Sequence, residues 1–236
     1  METLLKVTGL EKSYGKGEAL VKALRGIDLD IYPGQLTAII GKSGSGKTTL
    51  LKVLGLLSNA DKGTVTFHGQ NILGLKGETK AKIRREEYGF IFQDFNLIPE
   101  YKVKDNILMP LYLDNAKVDQ NYFEYLLKRI EIKDIIERYP DQISGGQQQR
   151  CAIARALISK PKLIFADEPT GNLDKQTGNN IFDLMIDLVH KDKQTIVMVT
   201  HDLELASKAD RIITLSDGII LKDNDHDYHR FKVENN

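Results

Sequence analysis

The sequence is short of several things, and each shortage narrows what the chain can be. It has one cysteine, Cys151, so no disulfide can form within the chain, which fits a reducing compartment. Neither sign of charge is in excess, because 33 basic side chains balance 33 acidic ones. The broad basic footprint of a nucleic-acid-binding domain is therefore missing, and no nucleic-acid partner is expected. No apolar stretch reaches about 18 residues, so no membrane-spanning helix is expected. The opening METLLKVTGLEKSYG is broken too early, by Lys6 and Glu11, to serve as a secretory signal. No repeat of about 20–50 residues and no low-complexity run divides the chain. What remains is 236 residues, 41% hydrophobic and 28% charged, enough to bury one sizeable core. The expectation is a soluble intracellular protein of one domain, or one domain with a subdomain.

The hydrophobic pattern changes character along the chain. Leu5 and Val7, then Leu24, Ile27, Leu29 and Ile31, read as short strands. The apolar run 36–40 stops at Gly41 and reads as a strand buried on both faces. A helix is expected over 47–57, then a strand over 64–67 that turns at His68-Gly69-Gln70. From about 94 to 159 the chain is rich in Leu, Ile, Lys and Glu at helical spacing and reads as a helical subdomain. Within the chain before it, 80–87 reads as a solvated helix face. Strands return at 163–166 and 195–200, with a helix over 174–191 between them. Segments 212–215 and 219–221 flank Ser216-Asp217-Gly218 as a hairpin. Strands alternating with helices make the class α/β with a mainly parallel sheet. The core is expected over about 1–93 and 160–222, followed by a polar, frayed tail over 223–236. His226 and His229 in that tail invite a metal reading, but no cysteine accompanies them and a flexible tail is expected.

Gly41-Lys42-Ser43-Gly44-Ser45-Gly46-Lys47-Thr48 fits G-x-x-x-x-G-K-[ST], with a buried strand before it and a helix after it. The glycines let successive backbone N–H groups turn inward toward a polyanion, and the helix N-terminus adds positive partial charge. Lys47 can reach the β- and γ-phosphates of a nucleotide, and the Thr48 hydroxyl can ligate Mg²⁺. A second element follows the buried run 163–166, where Asp167 and Glu168 stand together at the carboxyl edge of a sheet. Asp167 is suited to holding Mg²⁺, and Glu168 to polarising an attacking water. An acidic pair at that point can also simply cap the next helix. His201 ends another buried strand at the same edge and could position the water, although a single histidine there is often structural. Gln93 ends the apolar segment 88–92 and could offer its side-chain oxygen to Mg²⁺ or water.

A second glycine motif, Ser144-Gly145-Gly146-Gln147-Gln148-Gln149-Arg150, opens a helix that runs to about 159. Ser144 is a good N-cap, and the two glycines permit close approach of a ligand. The motif is thus either a second anion site at a helix N-terminus or a capped helix with a flexible start. With this motif in place, the sequence strongly resembles the ATP-binding cassette family, from Tyr14 to Asp217. Residues 41–48 look like the Walker A loop, Gln93 the Q-loop, 144–148 the signature and 163–168 the Walker B strand. Asn172-Leu173-Asp174 resembles the D-loop, His201 the switch histidine and Tyr14 the aromatic that stacks on adenine. Ile143 stands where leucine usually precedes the signature serine, a change that keeps size and apolarity. Several stretches, including 89–99 and 166–174, are similar to the branch that serves lipoprotein release, macrolide and antimicrobial-peptide handling, and cell division.

The resemblance implies a P-loop NTPase core of the RecA-like kind, with an N-terminal antiparallel β subdomain and an inserted helical one. It implies ATP and Mg²⁺ as cofactors, and nucleotide contacts from Tyr14, residues 41 and 43–49 including Thr49, Ser144, Gly145, Gly146, Gln147 and Asp174. Glu168, His201 and Gln93 would act in hydrolysis, and Thr48, Gln93 and Asp167 at the metal. Two cassettes would associate head to tail, as a homodimer or with a different cassette, each signature completing the other's site. The partner would be a separate integral membrane permease, holding the chain peripherally at the inner face of the cell membrane. The apolar segment 95–99 would be either core or the place where the permease docks. Export or lipoprotein and peptide handling leads, with an importer subunit or a soluble cassette as alternatives. The spacing of 51 positions between Gln93 and Ser144 leaves no room for the coiled coil of a repair cassette. A GTPase reading would need Asn-Lys-x-Asp, and its nearest counterpart, Ser207-Lys208-Ala209-Asp210, has the wrong first residue and lies on an expected helix.

Overall fold

The computed structural model describes residues 2–225, so His226 and His229 lie outside the described residues. Among the described residues ten strands are arranged in two sheets: β1 (Leu5–Tyr14), β2 (Val21–Ile31), β3 (Leu36–Ile40), β4 (Lys62–Phe67), β5 (Gln70–Asn71), β6 (Tyr88–Phe92), β7 (Leu163–Asp167), β8 (Ile196–Val199), β9 (Arg211–Ser216) and β10 (Ile219–Asp225). The helices are α1 (Lys47–Leu54), α2 (Gly77–Glu86), α3 (Val103–Leu113), α4 (Gln120–Arg129), α5 (Gly145–Leu157), α6 (Lys175–His190) and α7 (Leu203–Ala206). One sheet is antiparallel, in the order β2-β1-β4-β5. The other runs β10-β9-β3-β8-β7-β6, parallel throughout except for β10 at its edge.

The two faces of the parallel sheet bury different cores, and the strand period of two sorts the side chains between them. Ile39, Leu163, Phe165, Val197 and Val199 pack with α1 and the antiparallel sheet. Ala38, Ile164, Ala166, Ile196 and Met198 point the other way, against α3 to α6. Both faces are covered, which is why these strands read as continuous apolar runs with no polar alternation. Three helices, α3 to α5, lie between β6 and β7 in sequence, and α5 packs on both β6 and α3. Cys151 of α5 is fully buried, and burial pushes its thiol up to about 12, so it behaves as a small apolar group. By contrast α2 buries no residue, in keeping with its run of charges.

Several expected boundaries move. The first helix stops at Leu54 rather than 57, because Gly55 caps it and Leu56 turns left-handed at φ 58°. The strands β1 and β2 are 10 and 11 residues long, longer than their apolar pattern indicates. Irregularities in their pairing break the alternation that marks a strand in sequence. The frayed tail does not begin at Asp223: β10 pairs through Asp225 with Arg211. The Arg211 guanidinium donates twice to the Asp223 carboxylate, at 2.7 and 2.6 Å, a bidentate tie that holds this end of the sheet. Residues 207–210 follow α7 rather than lying on it. Asp210 there accepts a hydrogen bond from the Leu36 N–H at 2.8 Å, anchoring the start of β3.

Close packing of α5 on β6 depends on Gly89. A Cβ at this position would come within 2.5 Å of the Ala156 carbonyl oxygen, a backbone atom that cannot step aside. Gly89→Ala should therefore lower stability by about 1–3 kcal/mol, the cost of overpacking a filled interior. Urea unfolding checks it: the midpoint should fall with the slope unchanged.

Candidate functional site

The carboxyl edge of the parallel sheet collects the chemistry. Register pairs Phe92 with Asp167 and Asp167 with Val199, so Gln93, Glu168 and the residues after β8 follow in step. The loop after β3 runs into α1 on the same edge. A cavity of about 350 Å³ opens there, lined by Ser43, Gly44, Ser45, Gly46, Lys47, Thr48 and Thr49 with Glu168, His201, Val21 and Ala23.

Two glycines make the loop possible. Gly41, at φ 156°, lies so close to the Leu215 carbonyl that a Cβ would approach its oxygen to 2.1 Å. Gly46, at φ 102°, faces the Ala23 carbonyl, which a Cβ would meet at 2.4 Å. The loop is thus pressed between β2 and β9, and only residues without a side chain fit. Lys47 is buried and donates to the Gly41 and Lys42 carbonyls at 2.8 and 3.0 Å, so its ammonium lies along the loop itself. The Ser45 hydroxyl is buried in the same loop with no hydrogen-bond partner.

The acids stand next to this loop. The Thr48 hydroxyl donates to Asp167 Oδ1 at 3.2 Å, which brings a hydroxyl and a carboxylate together at the start of α1. Burial pushes the Asp167 carboxyl above the usual carboxylate range, offset by the Thr48 hydrogen bond and by Lys52 and Lys47. A desolvated carboxylate beside a hydroxyl suits a hard cation that favours oxygen ligands, so the residues present fit Mg²⁺. Among the described residues no group of three His, Cys, Asp or Glu side chains could hold a metal alone. Such an ion would take its remaining ligands from phosphate oxygens and water.

Glu168 is held at φ 48°, the left-handed region that a side chain of this size seldom adopts. Its N–H donates to the Val199 carbonyl at 2.9 Å, and its Oε2 lies 2.9 Å from His201 Nδ1 and accepts from the His201 N–H at 3.3 Å. Strain of this kind persists where surrounding contacts over-determine it, and it concentrates at functional sites.

Other sequence candidates are placed elsewhere. Tyr14 is outside the cavity lining and about half exposed, but its register partner across the antiparallel ladder is Val21, which lines the rim. Gln93 is also outside the lining: its side-chain N–H donates to Asn172 Oδ1 at 3.0 Å. Ser144, Gly145, Gly146, Gln147 and Asp174 contribute nothing to the lining of this cavity. Ser144 and Gln147 form a reciprocal cap on α5, the Gln147 side chain accepting from the Ser144 N–H at 3.0 Å. Gly146 admits a neighbouring helix: a Cβ there would come within 2.6 Å of Thr177 on α6. Asp174 caps α6, accepting from the Thr177 N–H at 3.0 Å, and hydrogen bonds from Thr177 hold its carboxyl below the usual range. Sequence reasoning missed Val21 and Ala23, because single small residues at a strand end carry no motif. It also missed Arg155, whose guanidinium donates to the Phe95 and Asn96 carbonyls and pins the segment after Gln93.

Comparison with known proteins identifies the family. A family model described as ABC transporter matches residues 24–171. The lipoprotein-releasing system ATP-binding protein LolD of Shewanella frigidimarina is 42% identical over 221 residues, which cover 93% of this chain and 92% of that one. The macrolide export ATP-binding/permease protein MacB of Chlorobium luteolum is 43% identical over 226 residues, or 95% of this chain and 34% of that one. The chain therefore spans about a third of that relative's length. The dimeric, post-hydrolysis structure of the ATP-binding cassette MJ0796, bound to ADP and Pi, matches with a TM-score of 0.85 at 38% identity. That match covers 94% of this chain and 98% of the other. The strand-loop-helix cradle, the acids at the sheet edge and these likenesses converge: the chain belongs to the ABC transporter family, as an ATP-binding, ATP-hydrolysing cassette.

Proposed function

We propose that two copies of this chain close on ATP, head to tail, and that the closure drives a membrane permease of an exporting or lipoprotein-handling system. The observation that carries this reading is the one-sidedness of the site. The cavity gathers the 43–49 loop, Glu168 and His201, yet none of the 144–147 residues lines it. A triphosphate has charge on several sides, and a second copy's Ser144-Gly145-Gly146 at the N-terminus of α5 would meet the side that Lys47 leaves open. The dimeric state of MJ0796 supports the arrangement, and the names of the LolD and MacB relatives support the class of permease. Among the described residues no helix is long and apolar enough to cross a membrane, so attachment at the inner face would come through the permease.

Each residue then has a task. Lys47 leaves its own loop carbonyls for the β- and γ-phosphate oxygens, and the loop N–H groups bind the remaining charge. Tyr14 at the rim stacks on the base. Thr48, Asp167 and Gln93 would hold Mg²⁺, which would supply positive charge to offset that of the phosphates. Glu168 takes a proton from water as its oxygen bonds to the γ-phosphorus, and the bond to the β-phosphate oxygen breaks with its electrons leaving on ADP. His201, already in contact with the Glu168 carboxylate, keeps that carboxylate oriented and faces the γ-phosphate.

Three substitutions separate these roles. Lys47→Ala should weaken ATP binding at least tenfold, the share of one charge-assisted contact, in an equilibrium nucleotide titration; wild-type affinity would remove the cradle assignment. Ser144→Arg should leave nucleotide binding by the single chain nearly intact while turnover disappears, apart from about 1 kcal/mol of stability lost with the helix cap. Normal hydrolysis by this variant would show that α5 does not complete a partner's site. Glu168→Gln keeps size and hydrogen bonding but cannot accept the proton, so hydrolysis should slow by about 100-fold or more. Less repulsion toward the γ-phosphate should also make the ATP-bound dimer accumulate, visible by light scattering with and without Mg-ATP. Near-normal single-turnover hydrolysis would move the base elsewhere, and a strict monomer at saturating ATP would count against closure.

A further inference from the structure

Gln93 is read above as a metal or water ligand, yet its side chain is outside the cavity, engaged with a neighbour on the next loop. We infer that Asn172 is a positioning residue for Gln93, holding its side-chain amide at the loop after β7 and setting how readily that amide reaches the nucleotide's metal. The inference rests on the reading of Gln93 given above.

The contact is reciprocal. Asn172 Oδ1 accepts from Gln93 Nε2 at 3.0 Å, while Asn172 Nδ2 donates to the Gln93 main-chain carbonyl at 3.2 Å and to Asp94 Oδ1 at 2.8 Å. One side chain must accept once and donate twice, which a primary amide can do and a carboxylate or hydroxyl cannot. Gly171 makes room for the arrangement, since a Cβ there would stand 2.9 Å from Gln93 Nε2. On the far side, Arg155 holds the Phe95 and Asn96 carbonyls, and both residues are fixed in the left-handed region at φ 59° and 50°. The backbone is thereby clamped immediately after Asp94. Between the end of β6 and that clamp only Gln93 and Asp94 can reorient, and both are tied to Asn172. A ligand group that is docked elsewhere for most of the time lowers apparent affinity by the fraction that is competent. Removing the dock raises that fraction.

Asn172→Ala should therefore lower the Mg²⁺ concentration that half-saturates ATP hydrolysis about fivefold, the size of one net exposed hydrogen bond. In the nucleotide-free protein, the Gln93 side-chain amide resonance, identified by its loss in Gln93→Ala, should move to the position of a solvated glutamine and exchange faster with water. Asn172→Asp should follow alanine, because it keeps the acceptor, loses both donors and faces Asp94 with like charge. Gln93→Ala should raise the Mg²⁺ requirement, and adding Asn172→Ala to it should change nothing further. A general loss of rigidity would lower turnover and stability without this Mg²⁺ dependence on Gln93. If Gln93→Ala alters the Mg²⁺ requirement but Asn172→Ala moves neither the resonance nor that requirement, the Asn172 inference is overturned and the role of Gln93 stands. If Gln93→Ala leaves the Mg²⁺ requirement as in wild type, both fall together.

Discussion

The parallel pairing of β6, β7, β8 and β3 is the constraint on which the rest of the molecule depends. Parallel strands present all their carboxyl ends at one edge, and their register determines which residues emerge side by side. Phe92, Asp167 and Val199 are aligned across three neighbouring strands, so the residues that follow them enter the same layer of space. The loop after β3 enters that layer too, because Ile39 is aligned with Val199. A slip of one residue in any of these strands would turn its buried set toward the opposite core and carry its loop residue out of step. Two covered faces, each with its own cluster of apolar side chains, make such a slip costly.

Conformational strain is concentrated at the same edge. Glu168 occupies a left-handed conformation, and the loop glycines sit where a Cβ would collide with the Leu215 and Ala23 carbonyls. These features weaken the fold locally; Glu168 is held by its N–H, which donates to the Val199 carbonyl of β8, and the loop glycines lie between β2 and β9. On the proposed reading, the arrangement would hold a carboxylate and a set of backbone donors in place before charge develops, where electrostatic catalysis is most effective.

The helices between β6 and β7 relate to the sheet edge through few but specific contacts. Arg155 of α5 reaches the main chain just after Gln93, Gln149 donates to the Pro169 carbonyl, and Gly146 lets α5 meet the first turn of α6. A displacement of α5 would thus be felt both after β6 and after β7. The motif at its N-terminus is therefore mechanically joined to the acids, although it lines no part of the cavity.

Much of this was legible in the sequence. The phosphate loop, the acids after β7, the histidine after β8 and the capped start of α5 each follow from short local patterns, because backbone freedom, capping and buried-strand composition are local properties. The strand over Leu36–Ile40 could be read to the residue, since it is apolar on both faces and ends at a glycine. The long β1 and β2 were only partly legible, because irregular pairing breaks their alternation. So was the start of the polar tail, where Asp223 is ordered by an arginine 12 residues away. What only the tertiary structure decided is which functional groups touch. Thr48 meets Asp167 across 119 positions and Gln93 meets Asn172 across 79, while Tyr14 and the α5 motif stay out of the cavity. Sequence patterns report the conformation each segment prefers and the chemistry it carries. Contacts between segments follow from strand register and from how two cores fill, and those depend on the whole chain at once.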